Sequence, residues 1–251
     1  MAVILITGAT DGIGRATAER LVGEGHRIIV HGRSAEKVDA TVAALGAGAE
    51  GILADLSDLG AVAAMARRVA AMDSPPQVLL NNAGVFKLSD PVGPRGIDMR
   101  FLVNAVAPYV LTRALPRLAR VINVSSAAQA PVDLDALTGG APLADMAAYA
   151  QSKLALLQWT AALRDADGPL MVGVNPGSML GTKMVREGFG AEGADISIGA
   201  RCLAWLATAP GEELTGLYYD NDRGSFGPAH PEATDPERIA ALMAVLERIS
   251  P

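Results

Sequence analysis

The strongest constraint on the fold lies at the start of the chain. An apolar run, Val3-Ile4-Leu5-Ile6, passes directly into Thr7-Gly8-Ala9-Thr10-Asp11-Gly12-Ile13-Gly14 and then into an alanine-rich segment of helical spacing. Consecutive large apolar residues that end at a glycine turn read as a buried strand. The three glycines have separate tasks. Gly8 permits a tight turn, Gly12 lets a pyrophosphate approach the backbone, and Gly14 lets helix and strand come close. Free N–H groups at the helix start attract phosphate. Glycine-rich turns occur in many folds, and the position between strand and helix is what marks this one as a dinucleotide turn.

Further short apolar runs fall at Arg27 to Val30, Gly51 to Leu53, Val78 to Leu80, Val121 to Val124 and Leu170 to Val174. Segments of helical spacing separate them, at Gly14 to Glu24, Ser34 to Leu45, Leu59 to Ala71, Met99 to Leu118 and Tyr149 to Arg164. Right-handed crossovers between such strands predict an α/β fold: a single Rossmann-type, doubly wound parallel sheet with helices on both faces. With no convincing linker, residues 1–251 read as one dinucleotide-binding and catalytic domain. Residues 127–148 and 178–198 are long aperiodic stretches that follow strand ends, and 178–198 reads as a substrate lid. The Gly-, Pro- and Asp-rich stretch from Tyr218 to Pro231 reads as irregular, leading to a helix from Asp235 to Ile249.

Composition narrows the partners. Half of the residues are hydrophobic and 19% are charged, enough apolar material for a large core. A net charge of -6 opposes nonspecific attraction to nucleic acid or an anionic membrane. No run of about 18 apolar residues is present, so a cytoplasmic protein is the expectation. Cys202 is the only cysteine, which excludes an intramolecular disulfide and a cage of several thiolates; it reads as a buried small residue. His26, His31 and His230 lack metal-ligand spacing and read as surface or turn residues, so no metal site is expected.

After the second strand, Gly32-Arg33 offers a guanidinium with no acid beside it. Such a group can hold a 2′-phosphate by paired charge-assisted hydrogen bonds, which favours NADP(H). Further along, Tyr149 and Lys153 stand four residues apart on a helix, so both can face one cleft. A neighbouring ammonium and an oxidised nicotinamide should together move the phenol below its ordinary pKa, toward acid/base chemistry near neutrality.

Together these motifs resemble the short-chain dehydrogenase/reductase family over nearly the whole chain. The roughly twenty-residue gap from Ser126 to Tyr149, with Gly96-Ile97-Asp98, resembles its retinol dehydrogenase-like branch. The resemblance implies that Asp55 and Leu56 contact adenine, that Asn82, Ala83 and Gly84 extend the cofactor cleft, and that Pro176, Gly177 and Thr182 lie beside the nicotinamide. It implies a catalytic set of Asn104, Ser126, Tyr149 and Lys153, with Ser125 as the alternative serine. Thr10, Asp11 and Ile13 complete the expected cofactor contacts. The activity implied is hydride transfer between NADP(H) and a small or medium apolar carbonyl or alcohol. The alternative is a catalytically silent NADP(H)-binding sensor or scaffold; an epimerase is disfavoured because no large C-terminal substrate domain follows. The family's four-helix dimer interface, built from the Met99 and Tyr149 helices, would make the protein a homo-oligomer.

Overall fold

The computed structural model describes residues 1–165 and 167–251. Strand and helix alternate through β1 (Val3–Ile6), α1 (Gly12–Gly23), β2 (Arg27–Gly32), α2 (Ala35–Leu45), β3 (Ala49–Leu53), α3 (Leu59–Ala70) and β4 (Val78–Asn81). Then come α4 (Met99–Phe101), a π-helical turn (Leu102–Val106), α5 (Ala107–Ala114), β5 (Arg120–Val124), α6 (Leu134–Leu137), α7 (Asp145–Ala162) and β6 (Leu170–Asn175). The final part holds α8 (Lys183–Phe189), α9 (Ile196–Thr208), β7 (Tyr218–Asp220), β8 (Ser225–Phe226) and α10 (Pro236–Ile249).

Among the described residues the strands form one sheet, ordered β3-β2-β1-β4-β5-β6-β7-β8, in which only the β7–β8 pair is antiparallel. This is the doubly wound parallel sheet expected from the sequence. The order reverses between β1 and β4, and ligands of open α/β sheets bind at such a switch point, beyond the strand carboxyl ends.

Strand alternation explains how both faces are covered. Ile4, Ile6, Ile28 and Val30 share a core with α1 and α9, whereas Val3, Leu5, Ile29 and Leu79 share one with α3, α5, α7 and α10. Helix starts follow capping chemistry: Asp58 accepts hydrogen bonds from the Gly60 and Ala61 amides to begin α3, and Asp235 accepts from Glu237 and Arg238 to begin α10, with Pro236 in its first turn. Among the described residues no helix is long and apolar enough to cross a membrane.

Three expectations need correction. The helix foreseen from Met99 to Leu118 is interrupted by the π-helical turn and stops at Ala114, where Leu115 turns extended before Pro116. The stretch from Tyr218 to Pro231 is not wholly irregular, because Tyr218 to Asp220 extends the sheet beside β6 and Ser225 to Phe226 folds back on it. α9, unforeseen as a helix, begins inside the expected lid range and covers one face of the sheet.

Candidate active site

The turns after β1 to β6 converge on one cleft of about 800 Å³. At its floor the glycine turn has no room for side chains. A Cβ at Gly14 would stand 2.5 Å from the Gly8 carbonyl oxygen, and Gly8 itself adopts a φ of +66°. Asp11 accepts a hydrogen bond from the Gly12 amide at 2.7 Å, capping α1. Thr10, Ile13 and Gly12 line the same cleft.

Two residues hold this turn from the neighbouring strands. The Asn82 side chain donates to the Thr7 and Gly8 carbonyls at 2.9 and 3.2 Å, while the Thr7 hydroxyl accepts from the Asn82 and Ala83 amides. On the other side, His31 accepts from the Gly8 amide through Nδ1 at 3.2 Å, which leaves the proton on Nε2 to donate to the Ala54 carbonyl at 3.1 Å. Expected at a surface or turn, His31 is instead buried, and burial lowers its pKa to about 4. Its pairing with β3 supplies that burial, which its place in the sequence does not show.

At the β2 end the exposed Arg33 faces the cleft together with Lys37, a cation the sequence reading did not select. Arg33 precedes the Ser34 cap and Lys37 lies in the first turn of α2, four residues on, a nearness in sequence that could have revealed it. Ser34 caps this helix by accepting from the Lys37 amide. Asp55 and Leu56 line the cleft after β3, with the Asp55 carboxylate accepting from the Ser57 amide and hydroxyl. The fit to a dinucleotide is good: a turn that excludes side chains, an exposed helix start, and two cations where a 2′-phosphate could bind.

At the other end, β5 and α7 bring Ser126, Tyr149 and Lys153 together on the cleft wall. Lys153 is buried and donates to the Val124 carbonyl at 2.8 Å, with its ammonium 5.5 Å from the Tyr149 ring centroid. Burial lowers its pKa to about 7. Tyr149, half-buried at the cleft wall, is pushed above its ordinary value by burial, with the Ser126 hydroxyl opposing the shift. The expected lowering is therefore not what the protein's own groups produce, because desolvation disfavours the phenolate and Lys153 is itself discouraged from carrying charge.

The serine choice has a geometric basis. The Ser125 hydroxyl is buried and donates to the Lys153 carbonyl at 3.0 Å, while Ser126 is more accessible. The Ser126 carbonyl accepts from Tyr218 Oη at 3.0 Å and from Gln129 Nε2 at 2.9 Å, two further residues the sequence reading did not select. Asn104, on the π-helical turn, lies behind the cleft wall. Its side chain accepts from the Val85 amide at 2.8 Å and donates to the Val85 carbonyl and the Ser152 hydroxyl at 3.0 Å. A Cβ at Gly84 would lie 3.4 Å from Asn104 Oδ1 and 3.5 Å from Lys153 Nζ, so both side chains lie directly behind this stretch of the cleft floor.

Pro176, Gly177 and Thr182 line the cleft after β6. Thr182 caps α8 by accepting from the Val185 amide, and its methyl lies 3.7 Å from where a Gly12 Cβ would stand. The expected lid, residues 178–198, is an excursion with its ends stapled: the Gly181 amide donates to the Ala194 carbonyl and the Ala194 amide to the Met179 carbonyl. Cys202 is buried as expected, and burial pushes its thiol up to about 12.

Residues 2–192 match the short chain dehydrogenase family. Human polyprenol dehydrogenase is 32% identical over 175 residues, covering 63% of this chain and 53% of that protein, so the match spans about half of its length. Retinol dehydrogenase 12 of Mus musculus is 30% identical, over 83% of this chain and 67% of that protein. Among solved structures, a protein of Mycobacterium paratuberculosis has a TM-score of 0.79 at 29% identity, over 99% of this chain and 92% of that one. A metagenomic short-chain oxidoreductase in complex with NADP has a TM-score of 0.66 at 31% identity, over 87% and 95% of the two chains.

Proposed function

The chain belongs to the short chain dehydrogenase family of oxidoreductases, and we propose that it transfers hydride between NADP(H) and a carbonyl or alcohol, with Tyr149 as acid and base. The observation that carries this reading is the convergence of Ser126, Tyr149 and Lys153 on the same cleft as the glycine turn and the Arg33–Lys37 pair. When bound, the nicotinamide gives a hydride to the carbonyl carbon or takes one from the carbinol carbon.

In reduction, the Tyr149 hydroxyl gives its proton to the carbonyl oxygen, turning the developing alkoxide into an alcohol. Ser126 donates a hydrogen bond to that oxygen and stabilises its growing charge. Oxidation reverses both transfers. A raised phenol pKa suits the donor role, since Tyr149 is protonated before the reaction begins. Lys153 holds the nicotinamide ribose and returns a proton toward Tyr149; a pKa of about 7 lets it do so at neutral pH. Asn104 acts through Val85 and the helix turn that carries it, fixing the cleft floor and ordering a water for the relay.

Arg33 and Lys37 support NADP(H) over NAD(H), because a second phosphate gains from two nearby cations. The NADP held by the metagenomic relative is consistent with this preference. The decisive test combines NADPH and NADH binding with consumption of the reduced cofactor over a panel of aldehydes, ketones and quinones. Selective NADPH binding with turnover is expected, and turnover should be lost in Tyr149→Phe while binding is kept. Binding without turnover of any carbonyl would favour the sensor reading, and absence of binding would overturn the cofactor assignment.

A further inference from the structure

The cleft has two chemically different ends. Asp11, Arg33, Lys37 and Asp55 give the β1–β3 end its charge, whereas the wall near Tyr149 includes Phe86, Val103, Met146, Met184 and Phe189. Phe86 is buried and meets Tyr149 edge-on, with ring centroids 5.2 Å apart and planes at 64°. Phe189 stacks on Phe86 at 5.2 Å and 18°. Residue 188 makes this approach possible: a Cβ there would stand 2.7 Å from the Phe86 ring, so only glycine lets α8 lie against it.

Phe189 nevertheless remains 49% exposed, and Met146 and Met179 on the same cleft are each 43% exposed. Large apolar side chains left in water around one opening mark a ligand surface. Lys183, at the start of α8, is solvent-exposed and lies 3.6 Å from Glu187, whose carboxylate offsets its charge on this wall. Thioethers and ring faces share a preferred partner, another aromatic ring.

Resting on the reductase reading above, we propose that the substrate carbonyl is carried on an uncharged aromatic body, and that Phe189, stacked on Phe86, is the residue that selects it. The ring of the substrate takes the open side of Phe189, with Met146 and Met179 closing over its edges. The carbonyl is thereby presented to the Tyr149 end of the cleft.

The test is the ratio of kcat/KM for 2-acetylnaphthalene to that for octan-2-one, measured with NADPH and the full chain. The wild type should favour the aryl ketone by about tenfold or more, and Phe189→Ala should lower the ratio by about tenfold, equal to ~1.4 kcal/mol. Phe189→Leu keeps apolar bulk at an exposed position and should lower the ratio as well. A wild type that prefers the aliphatic ketone, or a Phe189→Leu variant that keeps the wild-type ratio, would overturn the aromatic assignment and leave the reductase reading standing. Failure to reduce any carbonyl in a wider panel would overturn both.

Discussion

His31 is an ionisable group buried without an opposite charge in hydrogen-bonding contact, and its burial has a measurable consequence. His31 stays neutral in the fold down to about pH 4, against an ordinary 6.5. Between those values the unfolded chain holds the extra proton, so stability falls as pH drops from about 6.5 toward 4, by about 3 kcal/mol. Chemical denaturation of wild type and His31→Gln across that range should show the steeper fall in the wild type; equal slopes would remove His31 from the account. Two residues further on, Arg33→Ala should weaken NADPH about ten- to a hundredfold while NADH changes little, since only NADPH carries the extra phosphate. Equal losses in binding titrations would deny the 2′-phosphate role. That the glycines, Arg33, Tyr149 and Lys153 would share one cleft was legible from the order of the motifs and the family they resemble. The direction of the Tyr149 shift was not, because desolvation depends on what the folded chain packs around the ring. Nor was the burial of His31, which depends on β3 lying beside it.

At the scale of elements, the strands from β1 to β6 were legible as short apolar runs between helices, and all but the edge strand β3 are largely buried. Later elements were harder to read. β7 is three residues long, among glycines and acids, and is a strand because β6 offers it an open edge. The Met99 helix ends before Pro116, short of the Leu118 expected, and the π-helical turn at Asn104 has no signal in spacing. β7 also carries Tyr218, whose hydroxyl shares the Ser126 carbonyl with Gln129. Tyr218→Phe and Gln129→Leu each leave that carbonyl one donor, so each alone should cost about 1 kcal/mol of stability. Combined, they leave it with neither, and turnover should fall by more than the product of the single effects. A simple product in steady-state kinetics would show that the pair does not hold Ser126 cooperatively.

For the whole molecule, α10 matters as much as the nucleotide-binding half. Leu242, Val245, Leu246 and Ile249 share a core with Leu156 and Trp159 of α7, and Gln158 donates to the Glu232 carbonyl just before α10. The helix expected to supply part of a four-helix dimer interface is therefore covered by the chain's own C-terminal segment. Sedimentation equilibrium should give the mass of one chain at micromolar concentration; a tight dimer joined through α7 would contradict this packing. The sequence placed α10 but could not tell what it would cover, since that follows from the path of residues 221–235. Hydride transfer needs both ends of the cleft at once, and an isotope label follows it from cofactor to product. With NADPH deuterated at either position of nicotinamide C4, one of the two labelled forms should deliver deuterium to the carbinol carbon of a reduced ketone, and Tyr149→Phe should bind the cofactor yet yield almost no labelled alcohol. Alcohol formed without deuterium from either form, or formed at a near-normal rate by Tyr149→Phe, would contradict the account.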